Sequence, residues 1–181
     1  MIGVAHAATA NVAPLPDDPA CTAEDRKFMA RAYELAAIAA KNGNGAYGAL
    51  VVKDGKILME FSNNARTSGN VTHHAETGLV SLTSVRLGIT SMVGCTFYTS
   101  TEPCIMCCGA IRSTKVARLV YGTTAIQVTR LRGNQPPENP LQVREVFARG
   151  GTAPLVIAGP LMEGDGLAVH AAAIAKSATK L

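Results

Sequence analysis

Three of the five cysteines in this 181-residue chain lie within five positions, at Cys104, Cys107 and Cys108. Cysteine thiols can pair as disulfides, act as nucleophiles or bind metal ions such as Zn²⁺. A chain of this length buries enough apolar surface to fold without disulfides or a structural metal. The cluster is therefore a candidate for a chemical role rather than a structural one.

The spacing of Cys104 and Cys107 allows both sulfurs to bind one metal ion. Residues at i and i+3 at the start of a helix share a face, and helix N-terminal amides favour thiolate over thiol. Two thiolates and one imidazole suit Zn²⁺, and His74 is the available imidazole. Structural zinc is normally closed by four protein ligands, whereas three leave a position for water. The count of three predicts a catalytic site with one zinc per chain.

Two neighbouring residues each admit two interpretations. Adjacent helical residues point about 100° apart, so Cys108 either packs as a small buried hydrophobe or lies beside the site, rather than serving as a fourth ligand. Glu76 is two residues from His74, and such residues do not share a helix face. It is a proton carrier if the first helical turn lets it lean into the pocket, or else an acid favoured there by the helix dipole.

The overall composition is that of an ordinary globular protein. Hydrophobic residues make up 48% of the chain, and no segment approaches the roughly 20 apolar residues of a membrane span. The net charge of +4 comes from scattered basic residues, and only 4% of residues are aromatic. Surfaces that bind nucleic acids are usually more basic and more aromatic. We therefore expect a small-molecule partner, without membrane or nucleic acid.

The first twenty residues contain no Lys or Arg, so the basic region of a secretory signal is missing there. We interpret residues 1–21 as a flexible N-terminal extension and residues 22–181 as a single domain. An odd number of cysteines, three of them crowded together, favours a reduced, cytoplasmic setting.

Periodicity and turn signals predict alternating strands and helices. In chain order they predict a helix over 22–41, a hairpin turning at Asp54-Gly55, a helix over 74–87, a strand over 95–100, a helix over 105–113, a strand over 116–122, a short helix near 141–148, a strand over 154–159 and a terminal helix from about Leu167. Apolar contacts of the helix over 74–87 are assigned to Leu79, Val80, Leu82 and Val85. The segment after Gly122 is read as a loop.

This alternation predicts a three-layer α/β/α sandwich with a mixed five-stranded sheet that opens with an antiparallel hairpin. In α/β sheets, ligands collect where strands end and helices begin. The helix starts at His74 and Cys104 should therefore meet at one place.

The two motifs "HAE" and "EPCIMC" resemble the zinc-dependent nucleobase and nucleoside deaminase superfamily, the cytidine deaminase-like proteins, whose signature is H-x-E followed by P-C-x-x-C. The resemblance extends from about Gly48 to Gly122. It implies zinc ligands at His74, Cys104 and Cys107 and a general acid/base at Glu76. The implied reaction is hydrolytic deamination with release of ammonia.

The resemblance also implies substrate contacts. Asn63 occupies the place of an asparagine that touches the base or sugar in related enzymes, although a turn residue would also fit there. His73 departs from the usual residues before H-A-E, and it either lines the pocket or lies in contact with solvent or the ligands. Ala75, Glu102 and Pro103 adjoin the ligands within the motifs and are assigned to the substrate pocket.

The motifs are closest to the branch that holds guanine deaminases, cytosine deaminases and tRNA adenosine deaminases, which form α/β/α sandwiches and usually dimerise. We therefore expect a homodimer. The terminal segment has two lysines and no aromatic residue, which disfavours RNA recognition. A free nucleobase or related amino-heterocycle is the first choice, with guanine as the leading example, and tRNA adenosine is second. A non-catalytic zinc-containing binding module is the alternative of another class.

Overall fold

The computed structural model describes residues 11–137, 141–150 and 155–178. Within these ranges seven helices and five strands follow in the order α1 Ala23–Lys41, β1 Gly48–Lys53, β2 Lys56–Ser62, α2 Ala65–Ser68, α3 Ala75–Leu87, β3 Thr96–Thr101, α4 Ile105–Ser113, β4 Arg118–Thr123, α5 Ala125–Leu131, α6 Val143–Arg149, β5 Val156–Ala158 and α7 Glu163–Ala178. No helix among these residues is long and apolar enough to cross a membrane.

The strands form one mixed sheet in the order β2-β1-β3-β4-β5. Strand β1 is antiparallel to β2 and β3, whereas β3, β4 and β5 run parallel. Both turn residues of the β1–β2 hairpin, Asp54 and Gly55, have positive φ, as tight hairpin turns require. The predicted sheet and its opening hairpin are confirmed.

Each face of the sheet has its own apolar core. On one face α1 packs through Phe28 and Met29 against Leu50 of β1. Helices α3, α4 and α6 cover the other face, where Leu79 and Ile111 are fully buried. This arrangement is the predicted three-layer α/β/α sandwich.

A capping box is present at the start of α1. The Thr22 side chain accepts a hydrogen bond from the Asp25 amide, and the Asp25 carboxylate accepts one from the Thr22 amide. The same carboxylate is buried and is paired with Arg118 of β4. One residue thus caps α1 and ties it to the sheet.

The described part of the N-terminal segment lies against the domain. The Leu15 amide donates to Glu163, the Met162 amide donates to Asp17, and Gln127 donates to the Ala13 carbonyl. The segment predicted as a flexible extension is therefore anchored from residue 11 onward, while residues 1–10 lie outside the described residues.

Three local predictions were wrong. The segment after Gly122 is not a loop but contains α5, whose start is capped by the Thr124 side chain. The terminal helix begins at Glu163, one turn earlier than expected. Its first turn, "EGDG", contains two glycines, which are unfavourable in helices and so gave no helical signal in the sequence. Val85 does not pack, since its side chain is 82% exposed near the end of α3.

The close approach of α3 to β2 depends on Gly78. A Cβ at this position would overlap the ring of Phe61. The Gly78 amide also donates to the carbonyl of His74, so this contact sets the position of the helix start.

We expect Gly78→Ala to destabilise the protein by about 1–3 kcal/mol, because the added methyl group overpacks the α3–β2 contact. Chemical denaturation monitored by circular dichroism measures this change. Ser81→Ala, at an exposed position of the same helix, is the control and should leave stability within about 0.5 kcal/mol. Equal stabilities for the two variants would contradict the packing argument.

Candidate active site

Two of the predicted metal ligands are N-cap residues. His74 precedes α3 and Cys104 precedes α4, and both have extended backbones, with ψ of 165° and 169°. Neither side chain caps its own helix. Both side chains can therefore approach each other, at a place where two helix N-termini contribute positive potential.

The ligand atoms of His74, Cys104 and Cys107 lie within 4.8 Å of one another. The two sulfurs are 3.5 Å apart, and His74 Nδ1 lies 3.8 Å from Cys104 Sγ and 3.6 Å from Cys107 Sγ. Ordinary zinc bond lengths in a tetrahedron imply separations of about 3.8 Å between sulfurs and about 3.6 Å from sulfur to nitrogen. The donor set fits one Zn²⁺ ion in both chemistry and dimensions.

The three clustered cysteines have different environments. The sulfur of Cys107 beside it lowers the pKa of the partly exposed Cys104 thiol to about 5. Cys108 is buried and contacts the Pro103 carbonyl instead of the other sulfurs, and burial raises the pKa of its thiol to about 12. This position agrees with the interpretation of Cys108 as a small buried hydrophobe.

Glu76 lies in the first turn of α3 and leans into the same site. Because His74 is an N-cap residue outside the regular helix, the rule that i and i+2 residues face apart does not apply to this pair. The Glu76 carboxyl accepts a hydrogen bond from the Thr99 hydroxyl at 3.2 Å. Burial raises the pKa of this carboxyl, against a weaker opposite effect of its own backbone N–H. Such a group is suited to carry a proton.

A cavity of about 320 Å³ joins these groups. Its lining includes His74, Glu76 and Cys104. Tyr47, Thr101, Val128 and Arg132 form much of the remaining wall. This volume is at the small end of ligand pockets and suits a single heterocycle.

Two buried carboxylates position α5, which supplies one wall of the cavity. Glu102 accepts hydrogen bonds from the amides of Ala125 and Val143, and so joins the starts of α5 and α6. Glu163 accepts bonds from both the amide and the hydroxyl of Thr124. The wall formed by α5 is thus attached to β3, α6 and α7.

His170 of the terminal helix, which sequence reasoning missed, contacts two residues that line the cavity, Thr101 and Tyr47. Its buried Nε2 is hydrogen-bonded to the Thr101 hydroxyl at 2.9 Å, and the Tyr47 ring packs edge-on against its ring. Burial, reinforced by nearby Arg132, lowers the pKa of His170 to about 4, so the ring is neutral at pH 7. No local motif marks this histidine, because its role depends on contacts with distant residues.

The remaining predicted pocket residues lie around the ligand cluster. The Asn63 side chain donates to the Gly45 carbonyl and accepts from the Ala65 amide. His73 is half-buried, and its Nδ1 has no hydrogen-bond partner within the described ranges. Ala75 packs in the core, and Pro103 is buried between Glu102 and Cys104. Of the predicted substrate contacts, Glu102 borders the cavity, with both oxygens bonded to amides.

Comparisons with known proteins agree with this arrangement. Residues 22–123 match the family model described as the cytidine and deoxycytidylate deaminase zinc-binding region. A probable cytosine deaminase of Schizosaccharomyces pombe is 30% identical over 151 residues, which cover 81% of this chain and 90% of the relative. Guanine deaminase of Bacillus subtilis is 44% identical over 85 residues, which cover 46% of this chain and 54% of the relative.

A solved structure of a tRNA:A34 deaminase, which edits A to I at the wobble position of transfer RNA, superposes with a TM-score of 0.66. It is 26% identical, and the match covers 80% of this chain and 99% of that one. The fold and these matches define a zinc-binding deaminase domain, a hydrolase that acts on a C–N bond. The chain belongs to the family of the cytidine and deoxycytidylate deaminase zinc-binding region.

We expect Cys104→Ala and Cys107→Ala each to lose bound zinc and activity, because two ligands hold the ion much less tightly than three. Cys108→Ala should keep both, since its sulfur contacts a carbonyl and not the ligand cluster. Metal analysis by mass spectrometry of the purified variants measures the zinc content. Zinc loss only in Cys108→Ala would contradict the ligand assignment.

Proposed function

We propose that this protein is a zinc-dependent hydrolytic deaminase of a free nucleobase or related amino-heterocycle, with guanine as the leading example. The observation that carries the proposal is the buried carboxyl of Glu76, which shares a 320 Å³ cavity with two members of a three-residue zinc-ligand set. A purely structural zinc would be closed by a fourth protein ligand and would have no use for such a carboxyl.

His74, Cys104 and Cys107 would hold one zinc ion. When bound, zinc lowers the pKa of a coordinated water toward about 7 and so supplies a nucleophile at neutral pH. The N-termini of α3 and α4 would stabilise the thiolate ligands, since both helices point their positive ends at the cluster.

Glu76 would act as the proton carrier. Its carboxylate takes a proton from the attacking water, delivers it to a ring nitrogen of the substrate and then assists protonation of the leaving amine. The water oxygen replaces the amine on the ring carbon, so the products are a carbonyl compound and ammonia. The hydrogen bond from Thr99 keeps the carboxyl directed into the cavity.

The small cavity supports a single heterocycle as the substrate. Cytosine and guanine deaminases are among the relatives of this chain, and both act on free bases by name. The described part of the terminal helix carries Lys176 but no Phe, Tyr or Trp, and its one histidine, His170, is buried, so no exposed ring of this helix is available for an RNA base to stack on.

A tRNA adenosine deaminase is the second candidate. It is favoured by the superposition with the tRNA:A34 deaminase, which covers nearly all of that chain. Ammonia release measured across free bases, nucleosides and one tRNA separates the two candidates. Activity on tRNA alone would reverse the ranking.

We also propose a homodimer that forms through α4. Ile105 is 63% exposed and Met106 adjoins it, next to the exposed ligand Cys104. Adjoining exposed apolar side chains are typical of protein–protein contact sites, and the partner proposed here is a second copy of this chain.

Ile105→Lys should therefore shift the protein toward the monomer in analytical ultracentrifugation, because a charge would be buried at the interface. The control is Ile38→Lys, at an exposed position of α1 on the opposite face. A monomeric wild type, or equal association of the two variants, would refute the proposed interface.

Replacing Glu76 tests the reaction directly. We expect Glu76→Gln to retain zinc but to release ammonia roughly 10²- to 10⁴-fold more slowly, because the amide cannot carry the proton. Glu24→Gln is the control, since Glu24 occupies the same position in the first turn of α1 and is exposed. Normal turnover by Glu76→Gln would remove this residue from the mechanism.

A further inference from the structure

Arg132 borders the same cavity as the buried Glu76. It is the exposed C-cap residue of α5, and its Nη2 donates a 2.8 Å hydrogen bond to the Tyr47 hydroxyl. Both Arg132 and Tyr47 border the cavity that contains Glu76. A heterocycle bound in this cavity with its amine beside Glu76 can therefore place another of its polar atoms at this pair.

The charge of Arg132 has no acidic partner among the described residues. The described ion pairs use other arginines, and the described hydrogen bond of the Arg132 side chain is to the Tyr47 hydroxyl. Glu102, the other acid that borders the cavity, has both oxygens bonded to amides. A guanidinium has five N–H donors, so most of those of Arg132 remain available to a ligand.

Tyr47 is also held in place by His170. Its ring packs edge-on against His170, with centroids 5.4 Å apart, and His170 is hydrogen-bonded to Thr101. The phenol that orients the guanidinium is thus fixed by α7 and by the end of β3. An oriented donor loses less entropy on binding than a free side chain would.

We propose that Arg132, oriented by Tyr47, is a specificity-determining residue that selects heterocycles with a carbonyl oxygen in addition to the reacting amine. The inference rests on the proposed deaminase function and narrows its substrate class to amino-oxo heterocycles. Arginine binds such acceptors well, as in its bidentate contact with O6 and N7 of guanine. In guanine the carbonyl carbon C6 is meta to C2, which bears the amine, and in cytosine the carbonyl carbon C2 is likewise meta to C4.

The test uses pairs of compounds that differ in the carbonyl and in the ring N–H that accompanies it. Guanine is compared with 2-aminopurine, and cytosine with 4-aminopyrimidine, by measuring kcat/KM for ammonia release. Within each pair the selectivity ratio is kcat/KM for the carbonyl compound divided by kcat/KM for the compound without the carbonyl. This ratio is determined for the wild type and for Arg132→Met. Intrinsic reactivity cancels between the two proteins, so a change in the ratio reports the interaction of Arg132 with the carbonyl.

We expect Arg132→Met to lower the ratio roughly tenfold to a hundredfold, as for loss of a hydrogen bond to a charged donor. Tyr47→Phe should lower it less, because the guanidinium stays but loses its orientation. Arg130→Met is the control, since Arg130 lies in the same helix but borders a different cavity. Zinc content equal to that of the wild type identifies correctly folded variants.

Each other outcome overturns the proposal. An unchanged ratio in Arg132→Met, with ammonia still released, rejects the role of Arg132 while the deaminase function stands. A variant that loses activity only on nucleoside monophosphates, with an unchanged ratio for the bases, indicates that Arg132 binds a phosphate instead. If the wild type releases ammonia from none of the four compounds, the proposed substrate class fails and the assignment of Arg132 fails with it.

Discussion

The short distance between the N-termini of α3 and α4 is the constraint on which the site depends. Each helix begins with an extended N-cap residue, His74 or Cys104, whose side chain turns toward the other helix instead of capping its own. The sheet maintains this juxtaposition, because α3 packs on β1 and β2 and α4 follows directly from β3. Any shift of one helix start would separate the ligand atoms, which lie within 4.8 Å of one another.

A second group of residues shapes the cavity without belonging to the ligand cluster. The carboxylates of Glu102 and Glu163 hold the start of α5, and His170 joins the terminal helix to Thr101. A buried carboxylate or imidazole is costly unless it is hydrogen-bonded, and these groups are. Short helices between loops often line pockets, and α5 is such a helix. The bonds of these buried groups attach it to the sheet.

The chemistry of the site could be predicted from sequence because its residues lie in two local motifs. The spacing of Cys104 and Cys107 and the pair His74 and Glu76 carry their meaning in a few consecutive positions. The wall could not be predicted in this way. Arg132 follows α5 in a segment for which the sequence predicts a loop, and the roles of Tyr47 and His170 arise from contacts between residues far apart in the chain.

The most direct test of the account is the X-ray absorption spectrum of the purified zinc protein at the zinc K edge. Our account predicts two sulfur neighbours at about 2.3 Å and two nitrogen or oxygen neighbours at about 2.0–2.1 Å, one of which is not a protein atom. A spectrum with three sulfur neighbours would mean that Cys108 or another cysteine closes the site. That result would contradict the open coordination position on which the proposed deaminase chemistry depends.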